Sequence, residues 1–353
     1  MNWHQYVRQL WQQRSLATRL LWPASVLSAL YVWRKTRRAQ RDAPTRAPLP
    51  VIVVGNVVVG GAGKTPTCLA LAGALTLAGE YPVIISKGHG RRPGGPVHRW
   101  VGQHDDAADV GDEPLLMAQA KVCPILVTQH RADALAWLER AAPEVSVVLC
   151  DDGLQDTTLA ADLELVLFDA RGVGNGWLLP AGPLREPWPR KRWRSKANTL
   201  YLLQLAPHEQ APPLGDLAGP LWVATRQLKP QLKRLDDVVS TPLSRLASGP
   251  CQALAGIAKP EQFFAMLQHA GVELKAMHTR PDHAPLEKAY EGLQADLPVI
   301  ITAKDAVKCQ SWPQDWQART WVLQLDFTLP SGMVENIAQC VQTARADLSS
   351  RHG

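Results

Sequence analysis

Val51-Ile52-Val53-Val54-Gly55-Asn56-Val57-Val58-Val59-Gly60-Gly61-Ala62-Gly63-Lys64-Thr65-Pro66 decides the fold. An apolar β-type run, Val51 to Val54, feeds a glycine-rich bend, and an Ala/Leu-rich helical stretch follows from about Thr67 to Ala78. Strand, glycine loop and helix in that order make a phosphate-binding loop. Glycines let successive backbone N–H groups turn toward one anion, the helix adds the positive end of its dipole, and Lys64 reaches the β- and γ-phosphates. Nucleotide contact then runs through Val58, Val59, Gly60, Gly61, Ala62, Gly63, Lys64 and Thr65, with the Thr65 hydroxyl on Mg²⁺. The strict pattern asks for glycine where this chain has Val58, so the loop is a glycine-rich variant. The competing reading is a glycine turn opening an ordinary βα unit. The Lys-Thr pair, and a proline that a first helical turn accepts, favour the nucleotide.

Around this loop the 353 residues suggest about two domains. Net charge is +6, but residues up to Arg46 carry nine basic side chains against Asp42 alone, so the body beyond is slightly negative. A nucleic-acid enzyme usually carries its positive charge on the folded body, which disfavours that class. The six cysteines are scattered without a C-x-x-C pair, so neither a disulfide framework nor a cysteine metal cluster is expected, and a reducing compartment fits.

Residues 1–41 read as an arm. Trp3, Val7, Leu10 and Trp11 share one helical face, and an uncharged stretch, Leu20 to Trp33, ends in Arg34-Lys35-Thr36-Arg37-Arg38. About fourteen helical residues cover roughly 21 Å against a hydrocarbon core of about 30 Å, too short for a span. A helix lying in the membrane interface is the expectation, with Trp22, Tyr31 and Trp33 at headgroup depth and each basic residue adding about 1 kcal/mol on an anionic leaflet. The competing reading is a core helix packed on its own domain.

Pro44, Pro48 and Pro50 mark a linker over 42–50. Strand and helix patterns then alternate from Val51 to Leu205, the rhythm of a parallel α/β sheet with covering helices. A stretch with Pro, Lys and Asp near Pro213 to Asp237 separates a second series, ending in a helix over Val334 to Ala346. The expected fold is α/β: a P-loop domain over 51–237 and a smaller α/β domain over 238–353, with a nucleotide cleft between them.

Val145 to Asp152 is a buried strand ending in two carboxylates, which at a strand's C-terminal end face a nucleotide crevice and can hold Mg²⁺. Gly111-Asp112-Glu113-Pro114 puts two more acids at a helix start, where Asp112 also suits a plain N-cap. Pro281-Asp282-His283 offers a histidine beside a carboxylate, the kind of pair that accepts a hydroxyl proton. The basic, tryptophan-bearing stretch from Trp188 through Arg190 to Lys196 fits anionic headgroups or a phosphorylated substrate, and Ser86 to Arg92 is a further glycine-basic loop.

Together these blocks, with Leu179 to Pro187, Gly256 to Glu261 and Thr302-Ala303-Lys304-Asp305-Ala306, resemble the tetraacyldisaccharide 4′-kinase family in order and over nearly the whole chain. The resemblance implies a peripheral enzyme on the cytoplasmic face of the bacterial inner membrane. It would move the γ-phosphate of ATP, with Mg²⁺, to the 4′-hydroxyl of a lipid A disaccharide 1-phosphate, without an obligatory protein partner or nucleic acid. It further implies Lys64 and a base at Asp112 paired with His283 as catalytic residues, and metal or phosphate work by Thr65, Glu113, Asp151 and Asp152. Substrate contact falls to Asn56, Arg91, Arg131 and Arg185. Lys87, His89, Leu154, Asp156, Ala284 and Ala303 depart from the residues usual in the family. The rival reading is a membrane-surface ATPase switch governed by a protein partner; such proteins often carry Lys in the position of Val59.

Overall fold

The computed structural model describes residues 7, 9–41, 45–190, 198–206, 209–236, 238–246, 249–257, 260–281 and 284–352. The first series comprises helix α1 (Leu16–Arg41), β1 (Val51–Asn56), α2 (Lys64–Leu77), β2 (Pro82–Ser86), β3 (His98–Trp100), α3 (Ala107–Val110), α4 (Asp112–Gln119), β4 (Ile125–Thr128), α5 (Arg131–Ala141), β5 (Val147–Asp151), β6 (Leu163–Asp169) and β7 (Asn198–Leu205). Then come β8 (Leu221–Arg234), β9 (Ser240–Pro242), α6 (Leu243–Leu246), β10 (Pro250–Ala255), α7 (Pro260–His269), β11 (Glu273–Thr279), β12 (Val299–Thr302), α8 (Ala303–Ala306), α9 (Gln314–Arg319), β13 (Thr320–Phe327) and α10 (Ser331–His352).

One sheet runs through the molecule in the order β11-β10-β12-β13-β8-β7-β6-β1-β5-β2-β4-β3, with β9 beside β8. Pairing is parallel except for β3 on β4 and for β13 and β9 on β8. Strands β1, β2, β4, β5 and β6 are buried throughout. Such strands read as continuous apolar runs because helices cover both faces. One core layer gathers Val53, Leu135, Leu138, Val148 and Phe168; the opposite layer gathers Ile52, Leu71, Leu75 and Leu149 with Met333, Ile337 and Val341 of α10. The last helix thus returns to the first half of the sheet.

The stretch expected to separate the two series is itself the strand that joins them. Residues 221–225 of β8 pair parallel with β7, and residues 226–234 pair antiparallel with β13. Pro230 masked this strand in the sequence, because proline removes a ladder hydrogen bond. It is accommodated where the β8–β13 register shifts, between the Leu232–Leu323 and Leu228–Leu325 pairs. Between β11 and β12 the chain makes one 3₁₀ turn, Ala289–Gly292.

Helix α1 is turned inside out. The residues it lays against the body are small or polar, chiefly Thr18, Ser25, Ser28, Ala29 and Thr36 with Val32, while Leu16, Leu20, Leu27 and Tyr31 form an outward stripe, each at least 67% exposed. Ser25 Oγ donates to the Leu178 carbonyl at 2.7 Å and accepts from Ala181 N at 3.1 Å. No helix among the described residues is long and apolar enough to cross a membrane. Trp3 lies outside the described residues.

Candidate active site

The loop between β1 and α2 bends through Gly60 at φ 96° and Gly63 at φ 76°, a backbone region that side chains disfavour. Space enforces glycine as well: a Cβ on Gly63 would stand 2.0 Å from Gln204 Oε1. Gln204, from β7, is buried beneath the loop and donates to Thr67 Oγ1 at 2.7 Å. From the end of β6, Arg171 is gripped by Asp169 at 2.9 Å and donates to the carbonyls of Val59 at 2.9 Å and Gly61 at 3.4 Å. Asn56 ties the loop from inside, donating to Val58 and Gly60 carbonyls.

The amide of Val59 donates to the Pro183 carbonyl at 2.9 Å. Among the described residues, the N–H groups of Gly60, Gly61, Ala62, Gly63, Lys64 and Thr65 donate to no protein acceptor. Open amides around a helix N-terminus, with Lys64 beside them, are an anion site. Lys64 Nζ lies 3.5 Å from Asn56 Oδ1 and 3.9 Å from Asp152 Oδ2.

β5 delivers Asp151 and Asp152 to the same end of the sheet, and their environments differ. Asp151 is buried, accepts from Ser86 Oγ at 3.2 Å, and is raised to about 6 by burial and by the charge of Glu113, against the pull of Lys64. At Asp152 burial also opposes ionisation, but Lys64 and the Arg185 guanidinium, 2.8 Å away, outweigh it and lower the carboxyl below its usual range. Asp152 takes φ 48°, a left-handed turn that aspartate tolerates. Behind it, Arg131 is buried, donates to the carbonyls of Asp151 and Asp152, and pairs with Asp156 at 3.0 Å. Lys87 reaches the same Asp156 at 3.8 Å, so two of the residues unusual for the family meet each other.

Asp112 and Glu113 open α4, with Gly111 at the cap and no side-chain cap bond. Each meets a lysine from the second series: Lys308 Nζ lies 3.0 Å from Asp112 Oδ2, and Lys304 Nζ lies 3.2 Å from Glu113 Oε1. His283 and Asp282 lie outside the described residues. Arg185 also reaches Asn56 Oδ1 at 3.4 Å, and among the described residues Arg91 Nη2 is buried without a hydrogen-bond partner. Asn56, Lys64, Asp152 and Arg185 therefore form one cluster beside the loop. Arg131 serves it from behind, its guanidinium engaged by protein.

Among the described residues, no group of three or more His, Cys, Asp or Glu side chains converges to hold a metal alone. The donors fit Mg²⁺ arriving on a triphosphate, since that ion keeps phosphate and water oxygens and takes one or two carboxylates. The excess negative charge felt by Asp151 beside Glu113 is what such a cation would neutralise.

Arg171, Asp169, Gln204 and Lys308 had no place among the expected site residues. Asp169-Ala170-Arg171 ends a parallel strand, and Gln204 is a lone polar residue in an apolar run, so a signal existed for both. The basic stretch is partly corrected. Trp188 packs edge-on against Phe168 and Tyr201, and Arg190 is held by Glu164 at 2.6 Å and Glu186 at 3.1 Å. Residues 191–197 lie outside the described residues.

A strand, an anion-binding glycine loop, an invading lysine and carboxylates at the neighbouring strand ends define a P-loop nucleotide-binding protein of the phosphotransferase class. The family model for tetraacyldisaccharide-1-P 4′-kinase matches residues 17–342, and the chain belongs to that family. The tetraacyldisaccharide 4′-kinase of Acidovorax sp. (strain JS42) is 41% identical over 309 residues, 87% of this chain and 86% of the relative. That of Polaromonas naphthalenivorans (strain CJ2) is 37% identical over 99% of this chain and 98% of its own length. Among solved structures, LpxK from Aquifex aeolicus in complex with ATP matches with a TM-score of 0.74 and 26% identity, covering 92% of this chain and all of the other.

Proposed function

We propose that this protein transfers the γ-phosphate of ATP to the 4′-hydroxyl of a tetraacylated disaccharide 1-phosphate at the surface of the inner membrane. The observation that carries this reading is the row of open amides from Gly60 to Thr65, with Lys64 beside it and acids on both sides. Amides and Lys64 bind the β- and γ-phosphates and spread the charge of the transferring group. Gly60, Gly61, Ala62, Gly63, Lys64 and Thr65 supply these contacts; Val58 and Val59 shape the loop. Mg²⁺ would be held by Thr65, Asp151 and Glu113 and would neutralise developing phosphate charge.

Asp152 is already paired with Lys64 and Arg185, so its role is to orient those cations. Arg91 and Arg185 face the acceptor, Asn56, itself buried, serves them from within by accepting from Lys64 and Arg185, and Arg131 braces the Asp151-Asp152 turn. In the reaction the 4′-oxygen forms a bond to the γ-phosphorus, the bond to the β-phosphate oxygen breaks, and the hydroxyl proton passes to Asp112, supported by His283. The nucleotide lobe spans 51–237 and the acceptor-side lobe 238–353, with β8 of the first pairing into the second and α10 of the second packing back on the first. The inverted face of α1 and its basic end suit an anionic leaflet on the cytoplasmic side, where the acyl chains of the acceptor reside.

Asp112→Asn tests the chemistry. MgATP affinity should stay within about threefold, while phosphoryl transfer should fall by about 10²-fold or more, in line with loss of a general base. Unchanged transfer would remove Asp112 from that role.

A further inference from the structure

The two acids that open α4 face two lysines spaced i, i+4 on the opposite half of the molecule, and the lysine segment is built to stay in place. Thr302 caps α8: its Oγ1 accepts from Asp305 N at 3.1 Å and donates to Asp305 Oδ2 at 2.7 Å. Asp305, fully buried, accepts in turn from Gly256 N at 3.1 Å. Lys308 N then donates to the Asp305 carbonyl at 2.9 Å. Val307, one residue before Lys308, is buried with Val110 and Leu115, which flank Asp112 in sequence, and with Val127. The backbone of Lys308 is therefore fixed against the same apolar cluster that fixes Asp112.

From that position Lys308 Nζ reaches, among the described residues, Asp112 Oδ2 at 3.0 Å and, at 3.2 Å, the carbonyl of Ala284, the residue following His283 in the chain. Its side chain is only 6% exposed and that of Asp112 17%. An ammonium bound to a carboxylate oxygen fixes the rotation of the group that is to receive the proton. Orientation of this kind acts on the rate of the chemical step rather than on binding. A lysine that merely clasped the two halves together would act on stability and on acceptor affinity instead.

We propose that Lys308 is a positioning residue for phosphoryl transfer, holding the Asp112 carboxylate by one oxygen while tying it to the segment that follows His283. This rests on the reading of Asp112 as the base.

The test is steady-state kinetics of full-length Lys308→Met, Lys308→Gln and Lys308→Arg with ATP and the acylated disaccharide 1-phosphate, beside Asp112→Asn and the Asp112→Asn/Lys308→Met double variant. Thermal melting and MgATP binding report on folding, and the glutamine variant carries the test if methionine at this buried pair unfolds the chain. Lys308→Met or Lys308→Gln is expected to lose 10- to 100-fold in kcat with each KM within threefold, and Lys308→Arg to keep at least a third of kcat. In the Asp112→Asn background the second substitution should cost less than threefold, because the group it positions is gone. Unchanged kcat, a loss confined to acceptor KM and melting temperature, or multiplicative losses in the double variant would each overturn the proposal. Normal transfer by Asp112→Asn with a kcat loss at Lys308 sinks instead the assignment of the base.

Discussion

At Gly63 a single methyl group meets two obstacles, the φ of 76° and the amide oxygen of Gln204. Neither yields easily, since Gln204 is buried and committed to Thr67. Gly63→Ala is therefore expected to cost about 2–4 kcal/mol of stability, from backbone strain and displaced hydrogen bonds, and to abolish measurable MgATP binding. Calorimetry and titration check this; binding at the wild-type level would contradict the loop geometry. Asp156 gives a second residue-scale test. Burial alone would raise its carboxyl, but hydrogen bonds from Thr158 and the charges of Arg131 and Lys87 bring it down to about 2 from an ordinary 3.8. A lowered carboxylate adds stability above its unfolded pKa and loses it as pH falls through the folded value, here about 2 kcal/mol lost between roughly pH 4 and pH 2. Asp156→Asn should be less stable than wild type at pH 7 by about that amount, and the two proteins should converge near pH 2 in denaturant titrations. The glycines, Lys64, Thr65 and the Asp151-Asp152 pair were legible in the sequence because their meaning is local. Arg171 and Gln204 meet the loop across 112 and 141 residues, a distance over which spacing says nothing. Lys87 and Asp156 looked like two unrelated departures and turn out to be partners.

Helix α1 shows what an element's pattern can and cannot give. The sequence supplied the apolar stretch and its basic end, yet the small residues between them were silent until Ser25 was seen bridging Leu178 and Ala181. That contact has reach: Leu184, a few residues on, forms a bridge with Val58, and Pro183 accepts from Val59. The arm is thereby continuous with the loop's own support. Placing a charge on the outward stripe, as in Leu20→Glu with Leu27→Glu, should leave melting within about a degree and weaken binding to anionic vesicles at least tenfold, since each leucine withdrawn from lipid forfeits about 1.5–3 kcal/mol. Unaltered vesicle binding would place the membrane surface elsewhere. Strand β8 carries the opposite lesson. Its prolines, lysines and aspartates read as a separator, and the register shift opposite Leu323 and Leu325 explains how a strand containing Pro230 fits.

Across the whole molecule, the anion loop belongs to the first series of elements, and the lysines meeting Asp112 and Glu113 belong to the second. The alternation of strands and helices revealed both series. Their fusion into one sheet through β8 was hidden, because β8 takes part in two sets of pairings that no local pattern encodes. Removing residues 1–41 should release the protein from membranes and, because Ser25 braces the segment that holds the loop, weaken MgATP binding as well; fractionation beside nucleotide titration checks both. Family membership favours the glycolipid kinase over a protein-governed ATPase switch. The most direct measurement is transfer of γ-labelled phosphate by the purified full-length protein, given ATP, Mg²⁺ and the tetraacylated disaccharide 1-phosphate in mixed micelles. Label appearing at the 4′ position of a bisphosphate product, with one ADP formed per label transferred, is the predicted result. ADP formation that ignores the glycolipid, with no label in lipid, would contradict it.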